Sequence, residues 1–259
     1  MARARANPST PLEHSWTGEK LSLLAVFAHP DDESFGPAGT LAKYASEGVD
    51  VSLATATRPA PFDGVVSARD RLCSCRTSGI RRVCLLDCPP GELDQVDPEI
   101  VEERLVRLMR EIQPQVVITF GPEGLAGGSD YHVLNRAATA AFRDAGNLTK
   151  FQHHFHDGLG PYAPQKLYYC VLPQSLVARL VVQGLFAVPD ESVTAILDVS
   201  SYTEAMLKAL YCQRNAALDF IRWLIEEQRV QWDSEYYALV ESTLSRKPRR
   251  EKDLFAGLR

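Results

Sequence analysis

Five consecutive residues, His29-Pro30-Asp31-Asp32-Glu33, set one imidazole beside a run of carboxyl groups. His29 and Asp32 are three positions apart, so on a loop both side chains can turn toward one point. A neutral imidazole with a carboxylate oxygen suits a first-row divalent ion, zinc foremost. A hydrolytic zinc centre commonly takes three protein ligands and keeps one position for water, so a third ligand must come from elsewhere. The histidines available are His14, His132, His153, His154 and His156. His132 follows a strand-end loop at the start of a helix and is the candidate. The competing reading is structural: a loop histidine bonding a backbone group, with Asp31 and Asp32 capping a helix.

Position favours the chemical reading. The apolar run over residues 21–27 (Leu-Ser-Leu-Leu-Ala-Val-Phe) is what a strand buried on both faces requires. Gly36, Pro37 and Gly39 then open an amphipathic segment, so the histidine and the aspartates fall at the carboxyl end of a parallel strand. Ligands of open parallel sheets bind at that rim. Further strands are expected over 49–56, 82–87, 115–120, 166–172 and 193–199. Helices are expected over 68–78, 99–113, from Tyr131 and His132 through Phe142, and over 204–228. Asp97-Pro98 supplies an N-cap and a first-turn proline for the second of these helices. The alternation predicts an α/β fold: three layers around a doubly wound, mostly parallel, Rossmann-like sheet. Residues 1–20 read as a flexible tail, and 21–259 as one domain with a C-terminal elaboration from about 165. His153-His154-Phe155-His156 sits among Gly, Pro and polar residues and reads as an exposed loop.

Composition narrows the function. With 45% hydrophobic and 24% charged residues among 259, the chain reads as a soluble globular protein. Its net charge of −5 gives no reason to expect nucleic acid or an anionic membrane. No apolar run approaches the roughly 20 residues of a spanning helix. Arg3 and Arg5 are not followed by the apolar core of a secretory signal, so a cytoplasmic protein is expected. Cys73, Cys75, Cys84, Cys88, Cys170 and Cys212 show no Cys-x-x-Cys pair and read as small core residues kept reduced. No Gly-x-Gly-x-x-Gly follows the first strand, which disfavours a dinucleotide enzyme.

Ala28-His29-Pro30-Asp31-Asp32-Glu33, then Phe35-Gly36 and Gly39-Thr40-Leu41, resembles the LmbE-like (PIG-L) zinc-dependent de-N-acetylases. Ala56-Thr57-Arg58, the segment from Val117 to Gly124, the helix from His132 to Phe142, Lys166-Leu167-Tyr168-Tyr169 and Asp253 to Leu258 extend the likeness. The resemblance implies that His29, Asp32 and His132 bind one Zn2+ per chain and that Asp31 is the general base. Zinc would lower the pKa of water to about 7 and polarise an amide carbonyl. The family's second motif reads His-Pro-Asp-His. Aligned on His132, its first histidine falls on Ser129, a hydrogen-bond donor that cannot act as a cation. Tyr131 is a phenol donor that can take over that role. The plainer alternative is that Ser129 and Asp130 cap the helix. Arg58 and Arg69 are candidates for substrate contact at the rim or, taken singly, for surface salt bridges.

The expectation is a zinc-dependent hydrolase that removes an N-acetyl group from an N-acetylglucosamine-type conjugate. Alternatives are an amidase of a thiol-sugar conjugate or antibiotic-linked amino sugar, and a sugar-binding protein that keeps the metal with little turnover. The expected partner is a small amino sugar, with no nucleic acid and no stable membrane insertion; homo-oligomerisation is left open.

Overall fold

A computed structural model describes residues 20–58, 68–180, 183–212, 232–244 and 250–259, together with 223 and 226. The expected tail therefore lies outside the described residues, apart from Lys20. Seven strands form one sheet in the order β3-β2-β1-β4-β5-β7-β6. They are β1 (Ser22–Phe27), β2 (Asp50–Thr57), β3 (Arg82–Cys88), β4 (Val116–Phe120), β5 (Lys166–Cys170), β6 (Ala195–Asp198) and β7 (Ser234–Ser242). β1 to β5 pair in parallel. β7 runs antiparallel between β5 and β6.

The central strand shows why the sheet is covered on both sides. Leu23, Ala25 and Phe27 enter one buried cluster, and Leu24, Val26 and Ala28 enter the other. The first cluster receives Leu41 and Tyr44 from α1 (Ala38–Ser46) and Cys75 from α2 (Ala68–Thr77). The second receives Val101, Leu105 and Met109 from α3 (Pro98–Ile112) and Leu134, Ala138 and Ala141 from α4 (Ser129–Asp144). The expected cap of α3 is present, with Asp97 Oδ1 accepting from the Glu99 N–H at 3.0 Å. These are the three layers the strand–helix alternation requires.

β1 lies between β2 and β4, and the chain reverses its direction of travel across the sheet there. The crevice at such a reversal is where open α/β sheets bind ligands. The loop after β1 and the loop after β4 meet at this point.

Two features differ from the sequence expectation. β7 was not expected, because its buried positions include a carboxylate: Glu235 and Tyr237 both point inward. Glu235 earns its burial by accepting the N–H groups of Gly39 at 2.8 Å and Thr40 at 2.9 Å, at the N-terminus of α1. A Cβ at Gly39 would lie 2.6 Å from Val199 Cβ, so only glycine allows that close approach. The cysteines also depart from six reduced thiols. Cys73 of α2 and Cys212, at the end of α7 (Thr203–Tyr211), form a disulfide with Cα atoms 5.6 Å apart. A sequence separation of 139 left no local signal of that pairing. Cys75, Cys84, Cys88 and Cys170 are free. Of the helix expected over 204–228, most of the part beyond Cys212 lies outside the described residues. Among the described residues no helix is long and apolar enough to cross a membrane.

Candidate active site

The polypeptide leaves β1 at buried Ala28 and turns at once. The His29 N–H donates to Asp32 Oδ2 at 2.8 Å, folding the loop so that imidazole and carboxylate share one side. A short 3-10 turn, Asp32–Ser34, follows and is fully buried. His29 Nδ1 lies 3.8 Å from Asp32 Oδ2, the neighbouring pair the motif anticipates.

α4 supplies the other half. Asp130 Oδ2 lies 3.1 Å from His29 Nε2. The same carboxylate accepts the N–H groups of Gly91 at 2.8 Å and Leu93 at 3.0 Å. Burial works to raise the Asp130 pKa, but the bonds from His29, Gly91 and Leu93 outweigh it and hold the carboxyl below its ordinary range. An ionised carboxylate only accepts, so His29 Nε2 carries a proton and a neutral ring keeps its lone pair on Nδ1. For His29, burial opposes the charged form, but Asp130 and Asp32 more than offset it and the pKa rises. Asp32 is pushed up to about 6, first by its own burial, with Asp31 adding to the effect.

Tyr131 completes the group. Its hydroxyl donates to Asp32 Oδ1 at 2.9 Å and lies 3.4 Å from His29 Nδ1. Burial, then the Asp32 charge, pushes its pKa well above that of an ordinary phenol. The ring packs edge-on to His29 and Phe120, at centroid distances of 5.3 and 5.9 Å. Behind it, Gly124 has φ 64°, and a Cβ there would lie 2.6 Å from Tyr131 Cγ. The glycine-rich loop is thus shaped around the phenol. Glu33, buried and pushed up to about 7 mainly by that burial, accepts from the Ser74 hydroxyl of α2 at 2.9 Å.

His132, the expected third ligand, is not brought into contact with this group by the structure. Its Nε2 pairs with Glu123 Oε2 at 3.2 Å, with both side chains about half exposed. Helical geometry gives the reason. At 100° per residue, burial of Asp130, Leu134, Ala137 and Ala138 turns His132 and Arg136 together onto the solvent stripe. The signal was in the sequence, in the apolar spacing after His132, but a histidine beside a metal motif outweighed it. Ser129 opens α4 and is exposed, and Asp130 bonds the Gly91–Leu93 backbone, not its own helix. Arg58 is exposed, with Nη1 3.8 Å from Asp87 Oδ1, as a surface pair would be. The side chain of Arg69 lies outside the described residues. The position of Asp31 is half-buried, directly before the buried turn.

His153–His156 is a helical turn, α5, not an exposed loop. His154 is fully buried. Buried Arg110 directs Nη1 at its Nδ1, 3.1 Å away, so Nδ1 accepts and Nε2 is protonated. That Nε2 faces Glu103 Oε1 at 3.4 Å, and His153 Nε2 reaches the same oxygen at 2.5 Å. Among the described residues this is the one trio of His, Cys, Asp or Glu ligand atoms lying within 4.8 Å of one another. The protonated Nε2 of His154 and the guanidinium behind it both disfavour a cation there.

Residues 24–142 match the family model described as PIG-L: GlcNAc-PI de-N-acetylase. This segment is similar to the PIG-L family. The chain is 29% identical over 290 residues to a 1D-myo-inositol 2-acetamido-2-deoxy-alpha-D-glucopyranoside deacetylase of Rhodococcus opacus, covering 91% of this chain and 98% of the relative. A second deacetylase of that description, from Saccharopolyspora erythraea, is 29% identical over 280 residues, covering 91% and 100%. In structure, the chain resembles an N,N'-diacetylchitobiose deacetylase from Pyrococcus horikoshii, with TM-score 0.65, 18% identity and coverage of 85% and 83%. It also resembles a 4-carboxy-2-hydroxymuconate hydratase from Pseudomonas putida, with TM-score 0.62, 15% identity and coverage of 87% and 98%. One fold thus hosts a deacetylase and a hydratase, so the residues at the site, not the fold, decide the reaction. There, placing the Asp of the His-Pro-Asp-His motif on Asp130 sets Gly128 and Tyr131 where the PIG-L pattern has histidines.

The residues fit a divalent cation, though not through the expected trio. Buried Asp130 fixes His29 in the form whose Nδ1 lone pair faces Asp32, and carboxylate–histidine pairs of this kind support metal-ligating imidazoles. Asp32 and Tyr131 supply oxygen.

Proposed function

We propose that this protein is a metal-dependent amidohydrolase that removes an N-acetyl group from an N-acetylglucosamine-type conjugate. The observation that carries the reading is the His29–Asp130 pair, which turns the unprotonated imidazole nitrogen toward buried Asp32 at the switch point of the sheet. The deacetylase relatives support the acetamido sugar as substrate class.

A divalent cation, zinc in our reading, would be held by His29 and Asp32 and would supply Lewis acidity toward the acyl carbonyl and an acidified water. Asp31 is assigned as general base: it accepts a proton from the attacking water and returns it to the departing amine. Water and amide are consumed, and acetate and free amine leave. Asp130 holds the orientation and tautomer of His29.

The test is acetate release from N-acetylglucosamine conjugates, varied at the aglycone and including thiol-sugar and antibiotic-linked amides, with metal content measured in parallel. Release that follows metal content supports the reading; bound metal with no release across the panel rejects it. Gly128 and Tyr131 in place of histidines favour one second reading, a metal-retaining sugar-binding protein, which predicts saturable sugar binding without acetate.

A further inference from the structure

We infer that Tyr131 is the third ligand of this centre, binding a divalent cation through its phenolate oxygen. The inference rests on the metal-dependent reading above and concerns a residue that departs from the His-Pro-Asp-His pattern. Three side chains border one small volume, with Asp32 turning one carboxylate oxygen to each of the other two. Tyr131 Oη is 2.9 Å from Asp32 Oδ1 and 3.4 Å from His29 Nδ1. His29 Nδ1 is itself 3.8 Å from Asp32 Oδ2. Donor atoms of one cation are neighbours at about this spacing when metal–ligand bonds are about 2 Å.

The surroundings hold the donors in that arrangement. Asp130, 3% exposed, fixes the imidazole and is itself held by the N–H groups of Gly91 and Leu93. Gly124 and Gly128 leave room for the phenol ring, with a Cβ at Gly128 meeting Tyr131 Cδ2 at 3.3 Å. His132 is occupied with Glu123.

The charges are consistent. A phenolate and an aspartate around a neutral imidazole cancel a dication, and a coordinating ion makes deprotonation of its ligand favourable where burial alone does not. On binding, the phenol O–H bond breaks, its oxygen pairs with the cation and the proton leaves to solvent.

The experiment is a titration of the full chain with Zn2+ and with Co2+, followed by ultraviolet difference absorbance for tyrosinate and by the visible bands of Co2+. It is run in a Glu103→Gln background so that His153 and His154 do not contribute. We expect a tyrosinate band that saturates at one equivalent. Tyr131→Phe should abolish the band and weaken binding about a hundredfold or more, beyond the ~10–100-fold typical of residues that only orient ligands. Tyr131→His should bind metal without the band, and His132→Ala should keep both. Circular dichroism verifies that each variant is folded. Metal binding without a tyrosinate band, equal affinity in Tyr131→Phe, or no binding by the parent chain overturns the inference. A saturating tyrosinate band with no acetate release keeps the ligand assignment and rejects the deacetylase reading.

Discussion

Asp130 and His29 are 101 positions apart in the chain and meet at 3.1 Å, on either side of the point where the sheet reverses its winding. Their contact joins the loop after β1 to the first turn of α4. Asp130 touches no expected reacting atom; it acts by fixing the imidazole. Asp130→Asn should lower metal affinity about 10- to 100-fold, the usual effect of losing such a partner. Metal titration shows this directly. The His29 ring titration, followed by NMR, should shift to lower pH once the charge that favours imidazolium is gone.

Asp31→Asn separates turnover from binding. Removal of a general base should cut acetate release by about 10²- to 10⁴-fold while metal content stays unchanged. Equal losses of metal and activity would mean that Asp31 ligates and does not transfer protons.

His132→Ala should be nearly silent. Its only described charged partner is Glu123, on the surface, where a pair contributes about 0–1 kcal/mol. Thermal melting, metal affinity and acetate release are each expected to stay at parent values. A large loss of metal would restore His132 as a ligand.

Glu235 makes stability depend on pH. Burial, offset in part by the bonds from Thr40 and Gly39, pushes it from 4.5 to about 7. A carboxyl whose pKa is higher folded than unfolded stabilises the protein below pH 4.5, and that contribution is lost as pH rises through about 7. The native state then holds a proton that the unfolded chain has released, a difference of roughly 3 kcal/mol across the window. Urea midpoints between pH 4.5 and 7 should fall less steeply in Glu235→Gln than in the parent.

The Cys73–Cys212 disulfide ties α2 to the end of α7. A crosslink that closes so long a loop restricts the unfolded chain, typically by about 2–4 kcal/mol. Cys73→Ser with Cys212→Ser should lower the melting temperature by several degrees, and a reducing agent should do the same to the parent. Equal melting points with and without reductant would show that the bond does not form.

The sequence by itself determined much of the frame. The apolar run before Ala28 required a strand buried on both faces. Asp97-Pro98 marked the start of α3, and the alternation of elements called for a doubly wound, mostly parallel sheet, without its strand order. His29 and Asp32 were legible because three residues on one tight loop determine their own proximity. Other features depended on distant partners. β7 hid because Glu235 replaces an apolar residue at an inward position, and only the free N–H groups of α1 make that tolerable. The disulfide joins segments with no local relation. At the centre, the choice between His132 and Tyr131 is a rotation of about 100° about the axis of α4. Packing of Leu134, Ala137 and Ala138 against the sheet settles that angle; their spacing marks which stripe of the helix is buried, but not what that stripe meets. Local spacing could name the residues able to do chemistry, but only the register of one helix against the sheet decided which of them face His29.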